Sequence, residues 1–177
     1  MNNQAIILGV DPGFHVSGYS ILKRDTNKAF LLDCGYLKMS PSDNLVVRVG
    51  QFHTFFLEKI KQHGVTEVAL ETSFLGKNAQ TFLKLGYLRG ILYLLAHEHK
   101  LVLHEFAPRE IKSAVTGFGG ASKEQVASMI LRMFPKINEI SVVARNDVTD
   151  AMAISLCGFW RGQTNRLQEL QKTGRKS

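Results

Sequence analysis

"ILGVDPGFHVSGYS", residues 7–20, decides the fold. The run Ile7-Leu8-Gly9-Val10 carries no polar side chain, so the strand from Ala5 to Val10 is covered on both faces and central in its sheet. Asp11 ends it, and Pro12 and Gly13 follow at once as a strand stop. A carboxylate at the end of a buried strand costs free energy unless a partner offsets it. The search for that partner organises the rest of the chain. Beyond the turn, Val16 to Lys23 and Ala29 to Leu37 read as two more strands joined through "RDTNK", so the chain opens with three antiparallel strands.

From Pro41 the period changes. Leu45, Val49, Phe52, Phe56 and Ile60 recur at helical spacing, with Ser42 and Asp43 as candidate caps and Gly64 as the stop. "TEVALET", residues 66–72, is a further strand, and a crossover through one helix makes it a parallel neighbour of the first. It ends on Glu71. A second long helix covers residues 79–99 and "LVLHEF" (101–106) is a fifth strand. Pro108 opens a short helix that ends near Gly117. Ser122 and Gln125 form a capping box for a helix to Phe134, and a last helix runs from about Asn146 to Arg161. The predicted class is α/β: a five-stranded mixed sheet, three antiparallel strands then αβαβ, flanked by helices.

The 177 residues suit one domain with a sizeable core. With 45% hydrophobic and 21% charged residues and no apolar window of membrane-spanning length, the composition excludes disordered and membrane-spanning classes. "MNNQAIILGVD" lacks the basic region and cleavage site of a signal peptide, so a cytoplasmic protein is expected. Cys34 and Cys157 lie in apolar runs without the close spacing of a metal pair and read as small buried hydrophobes. A net charge of +7 and a pI near 9.5 favour polyanionic partners. The final 17 residues hold five Lys and Arg against one Glu. The expected organisation is a folded domain over residues 1–161 and a basic, flexible tail over 162–177.

Asp11 and Glu71 each end an apolar strand, and parallel neighbours deliver both carboxylates to the same end of the sheet, where open α/β folds place their ligands. In "NDVTDAMAIS", Asp147 and Asp150 are three residues apart on a helix face that continues through Ala151 and Ile154. A first-turn acid also suits the helix dipole or a cap, so that pair by itself admits either reading. Taken together, three separate places put an acid where an apolar residue would pack better. A divalent cation resolves the repulsion, and an all-oxygen set without Cys or His suggests Mg²⁺ or Mn²⁺ rather than zinc. Two such ions suit phosphoryl displacement, and the basic surface points to a nucleic-acid backbone.

"ILGVDPGFHVSGYS", "VALETSFLGKNAQTFLKLGYLRG", "FAPREIKSAVTGFGGASKEQV" and "NDVTDAMAIS" resemble, in order and spacing, the RuvC family of Holliday-junction resolvases over about residues 5–160. The resemblance implies an RNase H-like fold and a homodimer that nicks a four-way DNA junction symmetrically. It also implies divalent metal at each of two active sites, and work alongside the RuvA and RuvB branch-migration proteins. Asp11, Glu71, Asp147 and Asp150 match the family's metal ligands, Lys112 and Lys123 match lysines facing the scissile region, and Phe74 matches an aromatic that stacks on a base. From the residues alone, Phe74 is equally readable as a core anchor and both lysines as solvated. Lys77, Asn78, Lys84 and Arg89 are weaker candidates for DNA-backbone contacts, with a solvated face as the competing reading. Phe14-His15 stands in a segment that the family fills variably. His15 reads as a turn residue, the other five histidines show no ligand spacing, and Trp160 reads as a core cap. Competing readings are another RNase H-like nuclease acting on flap DNA or RNA:DNA hybrid, a phosphate-loop ATPase for which the chain is too short, and a junction-binding module without catalysis.

Overall fold

The protein is described by a computed structural model covering residues 4–72, 79–135, 137 and 145–174. Its elements are β1 (Gln4–Asp11), β2 (Val16–Asp25), β3 (Lys28–Lys38), α1 (Leu45–His63), β4 (Glu67–Glu71), α2 (Ala79–Glu98), β5 (Val102–Phe106), α3 (Pro108–Thr116), α4 (Lys123–Met133) and α5 (Arg145–Gly174). The sheet order is β3-β2-β1-β4-β5, with β1, β2 and β3 antiparallel and β4 and β5 parallel to β1. The expected five-stranded mixed sheet is therefore present, with β1 at its centre.

Period-2 alternation divides the two cores. Leu8 and Val10 of β1 join Val68 and Leu70 of β4 beneath α1 and α2, against Phe52, Phe56, Leu88 and Leu92. Ile7 and Ala69 point the other way, to Met152, Ala153 and Leu156 of α5 and to α3 and α4. Burying Phe52 or Phe56 completely contributes roughly 1.5–3 kcal/mol each. Asp11 has the parity of Ile7, and Glu71 that of Ala69. Both acids therefore face α5.

The helix ends follow local chemistry, with two differences from expectation. Asn44 caps α1 in place of Ser42 or Asp43, its Oδ1 accepting from the Val47 N–H at 3.0 Å. Asp43 instead accepts from Gln51 Nε2 at 3.1 Å. Gly64 ends α1 in the left-handed conformation, φ 63°. Ser122 and Gln125 make the expected capping box on α4. The last helix runs on past Arg161 to Gly174.

Candidate active site

β1 is stopped by a pinned turn. Ser17 Oγ accepts from the Gly13 N–H at 3.0 Å and donates to the Gly13 carbonyl at 2.8 Å. A Cβ on Gly13 would stand 2.0 Å from the Val16 carbonyl oxygen, so only glycine closes this turn. Asp11 is thereby left at the open end of the strand. Its cross-strand partner is Gly18. A Cβ there would stand 2.0 Å from the Asp147 carbonyl oxygen, so the glycine lets the first turn of α5 lie directly on β2 beside Asp11.

Glu71 is held through its backbone. Arg89 of α2 donates to the Glu71 carbonyl, and the Thr72 N–H extends the ladder to Phe106 O at 2.8 Å. The expectation that Arg89 contacts a DNA backbone gives way here. The residue is 7% exposed, and its guanidinium also binds the Glu105 carboxylate and the Tyr93 hydroxyl, so it braces the strand end from inside. Asp147 and Asp150 come from the first turns of α5, on either side of Val148, which is fully buried. Helical spacing lets the apolar face pack while both acids stay at its rim.

The four carboxylates sense one another. Burial and then the charges of Asp150, Glu71 and Asp147 push Asp11 up to about 7, against a weaker opposing pull from Lys123. Burial and Asp150 raise Glu71, opposed by Lys123, Lys112 and Arg89. Asp147 is raised by burial and Asp150. Lys123, on the first turn of α4, donates from Nζ to Asp150 Oδ2 at 3.0 Å, and that bond raises its own pKa. Lys112 and Lys123 line a hollow with Glu71, Asp150 and the apolar side chains of Ile111 and Ile154. Four acids thus meet two lysines, which leaves net negative charge in partly buried surroundings.

Among the described residues, no three Asp, Glu, His or Cys side chains are drawn together closely enough to grip an ion as they stand. The donor chemistry nevertheless fits a hard divalent cation. All the ligands are carboxylate oxygens, and burial with the neighbouring acids raises Asp11, Glu71 and Asp147 despite the nearby lysines.

The remaining candidates separate. Lys84 is exposed, with its Nζ 5.6 Å from the centre of the Phe14 ring. Phe74, Lys77 and Asn78 lie outside the described residues. His15 is exposed, whereas His63 and His104 pair with Asp33 and Glu67. Trp160 packs against the α5 core beside Phe159, Cys157 is buried there, and Cys34 borders it. Burial pushes the thiols up to about 12 and about 11. Two contributors escaped sequence reading. Arg89 follows Leu88 and precedes Leu92 by three, a spacing that could have put it on the buried face of α2. Gly18 had no signal at all until the strand register was known.

The family model described as crossover junction endodeoxyribonuclease RuvC matches residues 7–158. Among similar proteins, the crossover junction endodeoxyribonuclease RuvC of Pelodictyon phaeoclathratiforme is 44% identical over 157 residues, covering 89% of this chain and 81% of its own. That of Legionella pneumophila is 34% identical over 152 residues, covering 86% and 85%. The structure of Thermus thermophilus RuvC in complex with a Holliday junction superposes with a TM-score of 0.78 at 28% identity, over 90% of this chain and 96% of that one. The yeast mitochondrial Holliday junction resolvase Ydc2 shares the fold, with a TM-score of 0.66 at 13% identity over 97% of this chain and 84% of that one.

Proposed function

The chain belongs to the RuvC family of crossover junction endodeoxyribonucleases, and from that membership we propose how its residues divide the work. It is a nuclease that resolves four-way DNA junctions. The observation that carries the assignment of its site is the convergence of Asp11, Glu71, Asp147 and Asp150 from three elements, with the carboxyls of Asp11, Glu71 and Asp147 held above their ordinary range beside two lysines. These four carboxylates hold two Mg²⁺ ions, with Mn²⁺ as a substitute. Divalent cations bound there supply the Lewis acidity that phosphodiester hydrolysis needs at neutral pH.

The chain's own groups do the positioning. Arg89 fixes the height of Glu71 by holding its carbonyl, and Gly18 fixes the approach of Asp147 to Asp11. Lys123 offsets the charge of Asp150 and, with Lys112, faces the hollow beside the acids, where an ammonium can meet a phosphate oxygen. Phe74 stacks on a base at the junction, and Lys77 and Asn78 meet its backbone, as the family pattern implies.

The working form is a homodimer. Phe82, Gly86, Gly90 and Leu94 follow one another at four-residue steps along α2. Phe82 and Leu94 are 37% and 46% exposed, and a Cβ added at either glycine would meet nothing within 4 Å. Such a face suits a second α2 lying close against it. Residues 1–161 form the nuclease domain, and the basic residues of 162–177 add a sequence-independent pull toward DNA. RuvA and RuvB are the branch-migration partners and the cytoplasm is the compartment. No helix among the described residues is long and apolar enough to cross a membrane.

The direct test is incubation with a synthetic four-way junction and Mg²⁺. Paired symmetric nicks are expected, with linear duplex left intact. No cutting in either Mg²⁺ or Mn²⁺ overturns the catalytic reading, and equal cutting of flap or hybrid substrates overturns the junction preference.

A further inference from the structure

Among the described residues three arginines are buried, and two of them have carboxylate partners. Arg24 pairs with Glu67, and Arg89 with Glu105. Arg48, 6% exposed on the first turn of α1, has none among the described residues. It donates to the Phe14 carbonyl at 3.3 Å, and its Nε has no hydrogen-bond partner there. A buried guanidinium without a counter-charge is costly, and a native structure normally gives such a group something to bind.

The surroundings point to an anion. Arg48 lines an open cleft with Phe14, Gln80, Lys84 and Tyr87. Its guanidinium lies 4.9 Å from the centre of the Phe14 ring, and Lys84 Nζ lies 5.6 Å from the same ring. A ring quadrupole attracts both cations and neutralises neither. Lys84 also lacks a carboxylate partner among the described residues, and the one acid of the cleft, Asp43, is bonded to Gln51. The first turns of α1 and α2 both border the cleft and add their partial positive charge. Phe14 is only three residues beyond Asp11, on the turn that presents that acid.

We infer that this cleft seats a phosphate of the DNA backbone, gripped by Arg48 and Lys84, on the strand whose neighbouring phosphodiester lies over the carboxylates. The inference rests on the junction-nuclease reading and adds a second grip to it. A guanidinium and an ammonium around one pocket suit a phosphodiester, and a seat lined by Phe14, three residues beyond Asp11 in the chain, would set the register of the strand being cut.

The test uses the full-length chain without divalent cation and measures junction affinity against salt. Lys84→Met, which keeps the stem, is expected to lower the slope of log K against log[salt] by about 1 and to weaken binding alike for all sequences. Arg48→Gln is expected to lower the slope similarly while leaving the thermal midpoint unchanged or higher. A scan of single methylphosphonates around the cut site should find one position whose neutralisation weakens the wild type and not Lys84→Met. An unchanged slope in Lys84→Met overturns the inference, as does an Arg48→Gln protein that loses thermal stability with its slope intact. Inorganic phosphate is the control for a free-anion site. If it raises the wild-type midpoint while no methylphosphonate position is sensitive, the DNA assignment is wrong. Wild-type binding no tighter to a junction than to linear duplex would sink the junction reading alone, because the slope change is read equally well on duplex.

Discussion

Glu67 and Glu71 stand four residues apart on β4, share one face of the sheet, and live under opposite electrostatics. Arg24 forms an ion pair with Glu67 and also donates to the carbonyls of Gly158 and Phe159, while His104 Nε2 lies 3.0 Å from the same carboxylate. These partners hold Glu67 below the ordinary carboxylate range although burial opposes them. Burial and then the charge of Asp150 hold Glu71 above that range, against the pull of Lys123, Lys112 and Arg89. The contrast separates an acid kept for structure, whose cations outweigh its burial, from an acid kept for chemistry, whose neighbouring cations do not.

Breaking the chemical end should have the largest effect. Asp11→Asn is expected to lower junction cleavage by on the order of 10²–10³-fold or more while junction affinity is retained, as read by cleavage and gel-shift assays on one preparation. Loss of affinity along with cleavage would make Asp11 a structural residue and erase the contrast. At the structural end, Glu67→Gln leaves Arg24 buried without its counter-charge and should cost about 3–5 kcal/mol in denaturant unfolding, with cleavage per folded molecule unchanged. Because the folded pKa of Glu67 lies below its unfolded value, its contribution is complete above that value and fades as pH falls through the folded one. The penalty of the variant should shrink in acid accordingly.

The opposite sign is expected of Asp11 when no divalent cation is present. Its folded pKa of about 7 lies above the ordinary 3.8, so the folded state holds the extra proton and stability falls as pH rises between those values. Metal-free Asp11→Asn should therefore be more stable than the wild type at pH 8, by on the order of 1–4 kcal/mol, with the gain gone below about pH 4. A gain that persists in acid would point to packing rather than charge. Gly18→Ala sharpens the same point from the backbone side. Its methyl meets the Asp147 carbonyl, so a cost of about 1–3 kcal/mol is expected, with a drop in cleavage that exceeds the fraction unfolded. Smallest is Lys123→Met. Its exposed ion pair with Asp150 contributes at most about 1 kcal/mol, so the thermal midpoint should barely move while cleavage slows.

Much of the fold was legible because periodicity and punctuation are local. The apolar run ending at Asp11, the helical spacing from Leu45 to Ile60 and the Ser122-Gln125 box each declared an element that the structure contains. The cap of α1 lies one or two residues beyond the expected Ser42 or Asp43, since Ser42, Asp43 and Asn44 are all good acceptors and only the geometry of the first turn chooses among them. The sequence pattern places the end of α5 too early. Apolar periodicity stops near Arg161, and the pattern gave no reason for the helix to continue to Gly174. By its charge Arg89 reads as a surface cation, whereas in the fold it is buried with Glu105, Tyr93 and the Glu71 carbonyl.

By itself, the order of residues determined the strands, the crossovers and the presence of an acid at the end of β1, at the end of β4 and at the start of α5, because those features depend on neighbours within a few positions. Tertiary structure alone decided which acids are compensated. Glu67 and Glu71 are the same residue type on the same strand face, and nothing near them in sequence says that one will meet Arg24 and His104 and the other Asp11 and Asp150. Coulomb energy depends on distance through space and on the burial around the pair, and both are settled only when β1, β4 and α5 are packed together.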